Sequence, residues 1–222
     1  HTAEYILFAF NGRSSQSLAT ELSDASNESA IATLRRATLA LAGRLPSEQE
    51  ESHVLNNGDA GLEDVLDQVM QEEAFYQRLM EIYNEQLLTD KYLSRNLNEG
   101  GINLLDADDY PNRKWYNDTY PGDANKDFRR CVRNQTNDAV AREGLQLIRH
   151  AAKNNLPHTL FVSADYMMVN WYSQQVYDAE LVDGGDFRRL SEPVCEGNGQ
   201  TLYYDPDDFR PARILKPTEY EI

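Results

Sequence analysis

Residues 61–73, GLEDVLDQVMQEE, contain a helical repeat of apolar side chains that has no gap. The repeat follows the spacing i, i+3, i+4, i+7 and i+8, and its members are Leu62, Val65, Leu66, Val69 and Met70. Such spacing places all of them on one stripe of an α-helix. Because a stripe of this kind must be buried against another element, the segment predicts a packed amphipathic helix.

The segments on either side repeat this pattern. Residues 29–43, SAIATLRRATLALAG, begin a second stripe, whose members are Ile31, Leu34, Thr38, Leu41 and Leu45. Gly43 and Pro46 predict the end of that helix, and Ser47 with Glu50 has the spacing of a capping box that starts a short acidic helix. Residues 74–93 continue the helical period with Phe75, Leu79, Ile82, Tyr83 and Leu87. The front half, 29–95, is therefore predicted to be helical.

The helical period is interrupted once and then returns. Residues 96–133 are punctuated by Gly, Pro, Asn and Asp and carry no apolar period, which predicts a long loop of functional or mobile character. Helix is predicted again from residue 134, in NDAVAREGLQLIRHAAKNN, with one face formed by Val140, Gly144, Leu147, Ile148 and Ala151.

Residues 157–180, PHTLFVSADYMMVNWYSQQVYDAE, are apolar and aromatic around one Asp and one Asn. Their large side chains are too apolar for solvent, so the segment predicts a buried helix or helix–turn–helix. Asp165 and Asn170 are expected to cap helices, since their side-chain oxygens accept from unpaired backbone N–H groups. Asn170, before WYSQQVYD, is the natural N-cap.

The tail, 181–222, is rich in turn residues, with one or two short strands expected. The fold class predicted for the chain is mainly α: one domain (1–222) forming an irregular helical bundle, with a long Asp/aromatic-rich loop and a turn-rich C-terminal tail. The back helical half is placed at 134–180. The chain is further expected to be a fragment of a larger protein.

The formal net charge of -16 and the distribution of apolar and acidic residues limit the partners of the chain. Nucleic acid is disfavoured, because phosphate contacts require Lys and Arg to displace counterions. No run of eighteen apolar residues is present, so no membrane span is predicted. Residues 45–77 hold nine acids and no Lys or Arg. Such a run is either a solvated acidic face or a landing site for a basic partner or for cations.

Two cysteines are present, Cys131 and Cys195. They are either two buried thiols or one disulfide formed in an oxidising compartment. Both lie in polar contexts that look like loops, RRCVRN and EPVCEGNGQ, where a free thiol would be exposed and reactive. A disulfide is therefore favoured. In the chain-entropy model, closing this loop would stabilise the fold by about 4 kcal/mol.

The segment GDANKDF is the best local candidate for a metal site. Asp123, Asn125 and Asp127 follow the D-x-N-x-D opening of a calcium loop, which supplies hard oxygen ligands at alternate positions. No glycine stands at the sixth position, however, and Asn134 stands where an acid is expected at the twelfth. An ordinary Asp/Asn-rich turn is the alternative.

The loop also carries acids and rings that suggest a binding surface at 106–127. Further oxygen ligands for an ion are available from Asp106, Asp108 and Asp109. Flat rings that suit a sugar or a partner protein are Tyr110, Trp115, Tyr116 and Tyr120. The alternative is that these aromatic residues pin the loop to the body of the fold.

Motifs of common enzymes are absent from the sequence. It contains no CxxCH for covalent haem, no HExxH for zinc, and no Walker A, GxSxG or GxGxxG. A pair of carboxylates for glycoside hydrolysis is defined by separation in space, and spacing along the chain singles out none of the 37 acids. Catalytic residues are therefore unknown from the sequence.

Two segments carry a resemblance to a known family. ADYMMVNWYSQQVYD resembles the TADY-x-x-VN-x-x-x-A-x-x-Y segment of the planctomycete-type cytochrome-associated domains of large exported bacterial proteins. LRRATLALAGRLPSEQE, with the helical pair after it, is similar to that family's LRR-x-x-L-x-L-x-G-x-x-P-x-x-x-E helix. The resemblance implies a helical, exported domain, with c-type haem or carbohydrate-binding modules on neighbouring segments and none in this chain. It carries over no catalytic residue.

These observations lead to one main functional hypothesis and two alternatives. The main one is a non-enzymatic scaffold or docking module of a periplasmic or cell-surface assembly that handles electrons or polysaccharide. Its partner would be a protein or an adjoining domain, with a glycan as a further ligand. The alternatives are a glycan-acting hydrolase that uses loop carboxylates, and a structural subunit of a larger membrane-associated complex.

Overall fold

A computed structural model describes residues 30–94 and 103–214 of the chain. Helices account for 59% of these residues and strands for 11%, so the prediction of a mainly α fold is confirmed. The sequence predicts one domain, and the contacts of the chain gather into two compact bodies. Of the described residues, the first body contains 30–86 and 148–160, and the second contains 87–94, 103–147 and 161–214.

The first body is built from three amphipathic helices, α1 (Ala30–Ala42), α2 (Glu48–Val69) and α3 (Glu73–Leu87). Gly43 adopts a φ of +65° directly after α1, as the predicted stop requires. Ser47 caps α2 in a complete capping box with Glu50. The two predicted stripes meet in one core, whose buried members are Leu34, Leu41, Val54, Val65, Val69 and Met70.

Helix α2 bends at Gly58, where the backbone leaves the helical region (φ 60°, ψ -134°). The bend separates the short acidic helix from the 61–73 repeat. A residue with a Cβ is strained at this positive φ, so the bend depends on glycine. Gly61 follows where α2 packs on itself, since a Cβ at this position would lie 2.8 Å from the carbonyl oxygen of His53.

The longest helix, α5 (Lys126–Lys153), supplies its last turns to the first body. There Arg149 binds Glu73 of α3 at 2.5 Å, and the Lys153 ammonium lies 5.8 Å from the Tyr76 ring centre. Tyr76 is the buried residue of α3, although the apolar stripe predicted for this helix runs through Phe75 and Leu79. The buried surface of α3 therefore includes the Tyr76 ring as well as the predicted apolar stripe.

Within the second body, α5 begins eight residues earlier than the sequence analysis expected. Buried Phe128, Val132 and Thr136 follow one another at i, i+4 and i+8 and continue into Ala139 and Val140. Arg129, Arg130 and Arg133 lie between them and mask this period in the sequence. The part of the predicted 96–133 loop that the structure describes is thus partly helical, with α4 (Trp115–Thr119) and 3₁₀ turns at Leu104–Asp106 and Asp123–Asn125. Residues 95–102 lie outside the described ranges.

The 157–180 segment differs from its prediction. Instead of one buried helix or a helix pair, it forms a short helix α6 (Leu160–Ser163), strand β1 (Met167–Val169), helix α7 (Trp171–Tyr177) and strand β2 (Ala179–Leu181). Asn170 is the N-cap of α7, as predicted. Asp165 forms an ion pair with Arg213 at 3.0 Å. Val162 is 91% exposed, so the beginning of the segment is not core.

The tail contains more strand than expected. β3 (Cys195–Gly197) and β4 (Gln200–Leu202) form an antiparallel hairpin, and β5 (Arg210–Ile214) is the central strand of a sheet in the order β1-β5-β2. Met168 lies opposite Pro211, and Glu180 lies opposite Arg213. Met167–Val169 becomes a strand because the tail, more than forty residues later, provides its hydrogen-bonding partner.

The disulfide prediction is confirmed. Cys131 and Cys195 are bridged across a sequence separation of 64 residues, with Cα atoms 5.7 Å apart. Cys131 lies in α5 and Cys195 lies in β3, so their contexts are helix and strand, not loops. The bridge joins the β3–β4 hairpin to the first half of α5. Phe128, Val132, Tyr172 and Cys195 share one core.

Candidate functional site

The predicted calcium ligands lie on two different elements. Asp123 and Asn125 lie in a 3₁₀ turn, whereas Asp127 lies in the first turn of α5 and pairs with Arg130 at 3.3 Å. The Asn125 side-chain oxygen accepts from the Asn198 amide at 2.8 Å. Within residues 30–94 and 103–214, no three His, Cys, Asp or Glu side chains come close enough to hold a metal ion. Calcium binding stays a prediction that a titration must test.

The loop acids are engaged with arginines or lie at the surface. Asp106 binds Arg133 at 3.2 Å, and its carbonyl oxygen accepts from Arg113 at 2.7 Å. Asp108 pairs with the same Arg113. Asp109 is exposed beside Tyr110. Two of the three acids therefore help to hold the segment in place.

The loop rings turn toward the interior of the second body. Tyr116 is buried, while Tyr110, Trp115 and Tyr120 are partly buried and pack on the core that contains Phe128. The Tyr120 ring meets the Phe128 ring edge to face, with centres 4.9 Å apart. This arrangement supports the alternative that the rings attach the segment to the fold.

Trp115 joins a larger aromatic cluster. Its ring meets Trp171 edge to face at 5.5 Å, and Trp171 stacks in parallel on Tyr204 at 4.2 Å. The Arg189 guanidinium lies over the Tyr204 ring, 5.0 Å from its centre. The Trp115 indole N–H is buried and has no acceptor in the described part of the chain. The cluster is a packing feature that unites α4, α7 and the tail.

The nine acids of the 45–77 run lie on α2 or directly after it. Asp64 lies 3.2 Å from the His53 ring, and the other eight fall into two groups. Four acids of the run are neutralised by arginines: Arg44 binds both Glu50 and Glu72, Arg35 binds Glu51 at 2.8 Å, and Arg149 binds Glu73. Hydrogen bonding to Arg44 lowers the pKa of the Glu50 carboxyl to about 2, against the opposing effect of burial. These acids stabilise the first body.

The second group of acids forms no ion pair with the residues that the structure describes. Exposed carboxylates without an ion pair in the described residues are Glu48, Asp59, Glu63 and Asp67. Glu63 and Asp67 are four residues apart and share one face of the helix after the bend. Glu48 and Leu55 share one face before it, and Leu55 is 72% exposed. These four carboxylates, which lie on both sides of the bend at Gly58, form with Leu55 the acidic surface of α2.

A buried carboxyl that the sequence analysis did not single out lies in the second body. Glu143 projects from α5, and the Tyr177 hydroxyl of α7 donates to its Oε2 at 3.0 Å. Ser173, one turn earlier in α7, also hydrogen-bonds the carboxyl and accepts from the Asn170 N–H at 3.3 Å. Glu143 Oε1 is buried and has no partner among the described residues.

The surroundings of Glu143 disfavour its charged form. Burial raises the pKa of the Glu143 carboxyl to about 8, and the hydrogen bonds from Tyr177 and Ser173 only partly oppose this effect. Burial and the adjacent Glu143 raise the pKa of Tyr177 well above its ordinary value. Burial, Glu143 and Asp109 likewise raise the pKa of Tyr110, whose ring centre lies 6.2 Å from that of Tyr177. The site therefore favours the neutral form of the Glu143 carboxyl.

A signal for this site was present in the sequence. Glu143 lies three residues after Val140 and four before Leu147, so the predicted helical face of α5 includes it. An acid on an apolar face is unusual enough to mark a site. Its partners could not be read from the sequence, because Tyr177 is 34 residues away.

Comparisons of the chain with models of known protein families, with curated proteins and with solved structures found no match. The resemblance to the planctomycete-type cytochrome-associated family therefore stays a hypothesis that rests on the two motifs. Of the helices in the described ranges, none is both long and apolar enough to cross a membrane, in line with the expectation from the sequence.

Proposed function

We propose that this chain is a non-enzymatic docking module that works outside the cytosol and binds a basic, amphipathic segment of a partner protein through α2. The observation that carries the proposal is the set of exposed carboxylates of α2, on both sides of its bend at Gly58, in a 22-residue segment that contains no Lys or Arg. Glu48, Asp59, Glu63 and Asp67 supply the charge, and Leu55 supplies an apolar contact.

The carboxylates and the exposed leucine of this surface indicate which kind of segment would bind there. Lysines and arginines of a partner would find carboxylates that no cation of the described chain occupies, and such complementarity accelerates association and excludes acidic partners. A leucine as exposed as Leu55 favours a partner segment that also carries apolar side chains. A basic amphipathic helix of a protein or of an adjoining domain meets both conditions.

The proposed compartment rests on the disulfide and on the family resemblance. A bridge between Cys131 and Cys195 persists in oxidising environments such as the periplasm or the cell surface. A haem, if the assembly uses one, would belong to a neighbouring segment or to the partner. The compartment is tested by rapid alkylation of the native host cells followed by mass spectrometry. A bridged Cys131–Cys195 peptide pair is expected, and two alkylated thiols would remove the compartment from the proposal.

Docking is tested with a fluorescent amphipathic helical peptide of Lys and Leu, whose binding is followed by anisotropy. The variant Glu48→Gln/Asp59→Asn/Glu63→Gln/Asp67→Asn should weaken binding at least about tenfold, since each lost pair at a surface contributes a few tenths of a kcal/mol to 1 kcal/mol. Leu55→Ser should weaken it further. Binding of the unaltered chain should also fall as salt rises.

The matched control removes four charges from the second body instead. Asp118→Asn/Asp123→Asn/Glu192→Gln/Glu196→Gln changes the net charge by the same amount at exposed positions. This control should bind the peptide almost as well as the unaltered chain. Equal losses in the two variants would mean that only net charge attracts the peptide, and the α2 site would be abandoned.

A second candidate, a glycan-acting hydrolase, is favoured by one specific observation. Burial raises the pKa of Glu143 to about 8, in the range that suits a general acid, and both Glu143 and the exposed Asp109 act on Tyr110. Turnover of a polysaccharide that disappears in both Asp109→Asn and Glu143→Gln, and persists in Asp118→Asn, would establish this function. A screen without turnover leaves the docking module in place.

A further inference from the structure

The Glu143 carboxyl joins two helices of the second body through few hydrogen bonds. Its Oε2 accepts from Tyr177 of α7, whereas Oε1 is buried and has no donor among the described residues. A neutral carboxylic acid tolerates this arrangement, because it carries no net charge. An ionised carboxylate would place negative charge on an oxygen that no donor of the described chain stabilises, which a buried site opposes strongly.

The groups around Glu143 compensate a negative charge only in part, through two hydroxyls. From α7 it faces the Tyr177 and Ser173 hydroxyls. In the segment before α4, Glu143 and Asp109 both raise the pKa of Tyr110. Tyr92 acts on Tyr110 from the 3₁₀ turn at Thr89–Tyr92. In the described ranges no Lys or Arg pairs with Glu143.

The nearest arginine in the sequence is committed elsewhere. Arg142 donates to the Asp207 carboxylate at 2.7 Å and to the Pro206 carbonyl at 3.2 Å. The same tail segment receives the Asn170 side chain, which donates to the Pro206 carbonyl at 2.8 Å. The tail thus binds both Arg142 and the start of α7. Arg142 does not pair with the Glu143 carboxyl, which accepts a hydrogen bond from Tyr177.

We propose that Glu143 is a proton-operated latch between α5 and α7: the neutral carboxyl keeps the joint closed, and loss of its proton favours an opened form in which the carboxylate reaches water. The latch is a regulatory device of the second body and is independent of the docking face on α2. Its chemistry is a single proton exchange with solvent at the carboxyl.

The sign of the pH dependence follows from the two environments of the carboxyl. In the closed form its pKa is raised to about 8, and in the opened form it returns toward the ordinary value of 4.5. Closure is therefore fully favoured below pH 4.5. It weakens as pH rises from 4.5 toward 8 and changes no further above that range, where both forms are ionised.

Native-state hydrogen exchange measures the latch directly. After correction for intrinsic exchange rates, the opening constant of α7 amides should rise by up to about tenfold per pH unit between pH 5 and pH 8 in the unaltered protein. Glu143→Gln keeps the acceptor for Tyr177 and cannot ionise, so its opening constant should be independent of pH in this range. The same pH dependence in Glu143→Gln would overturn the latch.

Two further measurements test whether the pH dependence comes from another acid and whether the Glu143 carboxyl is protonated. Glu180→Gln, an exposed acid on β2 of the same body, should keep the full pH dependence. Infrared spectra at pH 6 should contain a protonated carboxylic acid band that disappears in Glu143→Gln and persists in Glu180→Gln. If Glu143→Gln fails to fold, the titration of that band in the unaltered protein decides: an acid that is already ionised at pH 6 contradicts the proposal.

Discussion

Asn170 illustrates how one side chain defines the local path of the chain. It is fully buried, and its Oδ1 accepts from the backbone N–H groups of Tyr172 and Ser173 at 2.9 and 3.1 Å. Its amide nitrogen donates to the Pro206 carbonyl. Asn170 therefore follows the last residue of β1, caps the start of α7 and binds the tail at Pro206.

Removal of this amide should be costly. Asn170→Ala loses the N-cap and leaves buried backbone groups without partners, so the free energy of unfolding should fall by about 2 kcal/mol. Denaturant titration followed by circular dichroism measures the change. The control is Asn154→Ala, where an exposed side chain donates to the His150 carbonyl, and a change below about 0.5 kcal/mol is expected. Similar losses in the two variants would contradict the role of Asn170.

At the scale of elements, two glycines in helices have opposite meanings. Gly58 bends α2 at a φ of 60°, and a Cβ there has space but no relaxed backbone. Gly144 lies in the interior of α5 with ordinary helical geometry and is exposed, and a Cβ at this position would meet no atom within 4 Å beyond its own helix backbone. The backbone conformation, not crowding, therefore decides what a side chain does at each position.

The same substitution should act in opposite directions at the two positions. Gly58→Ala should destabilise the first body by about 1–2 kcal/mol, because alanine is strained at positive φ. Gly144→Ala should stabilise α5 by about 0.5–1 kcal/mol, because it reduces the entropy of the unfolded chain. Thermal unfolding of the two variants gives both signs, and a loss of stability in Gly144→Ala would refute the helical assignment there.

The element that the sequence described least well is β1. Met167 and Met168 look like helical core, since the apolar residues around them have no clear alternation. They form a strand because β5 pairs with them, with Met167 opposite Ala212 and Val169 opposite Arg210. No local signal contains that partner. The start of α5 at Lys126 was also missed, because the arginines between Phe128 and Val132 mask the apolar spacing of those two residues.

At the scale of the whole molecule, charge and covalent structure oppose each other. A net charge of -16 makes the compact chain repel itself, and arginines and a disulfide offset part of that cost. In the second body Arg142 binds Asp207, Arg188 binds Asp205 and Arg210 binds Asp183, so each joins distant parts of the chain. The Cys131–Cys195 bridge adds a covalent constraint, which salt does not weaken as it weakens the ion pairs.

Opening the bridge should therefore be felt by the second body as a whole. Cys131→Ala/Cys195→Ala should lower the free energy of unfolding by about 4 kcal/mol, since the denatured chain regains the entropy of a loop closed over 64 residues. Thermal unfolding with and without a reducing agent measures the effect. The reducing agent should not change the double variant, and an unaltered midpoint in the reduced parent chain would contradict this estimate.

The candidate sites differ in how far the sequence could reveal them. The acidic run on α2 was readable, because it is a statement about neighbouring residues. The loop rings from Tyr110 to Tyr120 were readable as residues, but their inward packing was not, because the core that receives them comes from α5, α7 and the tail. The buried state of Glu143 depended on a tyrosine 34 residues later.

The sequence by itself determined the helical periods of α1 to α3, the capping residues Ser47 and Asn170, the stop at Gly43 and the pairing of the two cysteines. Each of these depends on residues within a few positions or on a choice among very few partners. Only the tertiary structure decided that Met167–Val169 is a strand, which acids pair with an arginine, and that the pKa of Glu143 is raised. Those properties arise from burial, and burial is created by segments that lie far apart in the chain and meet only when it folds.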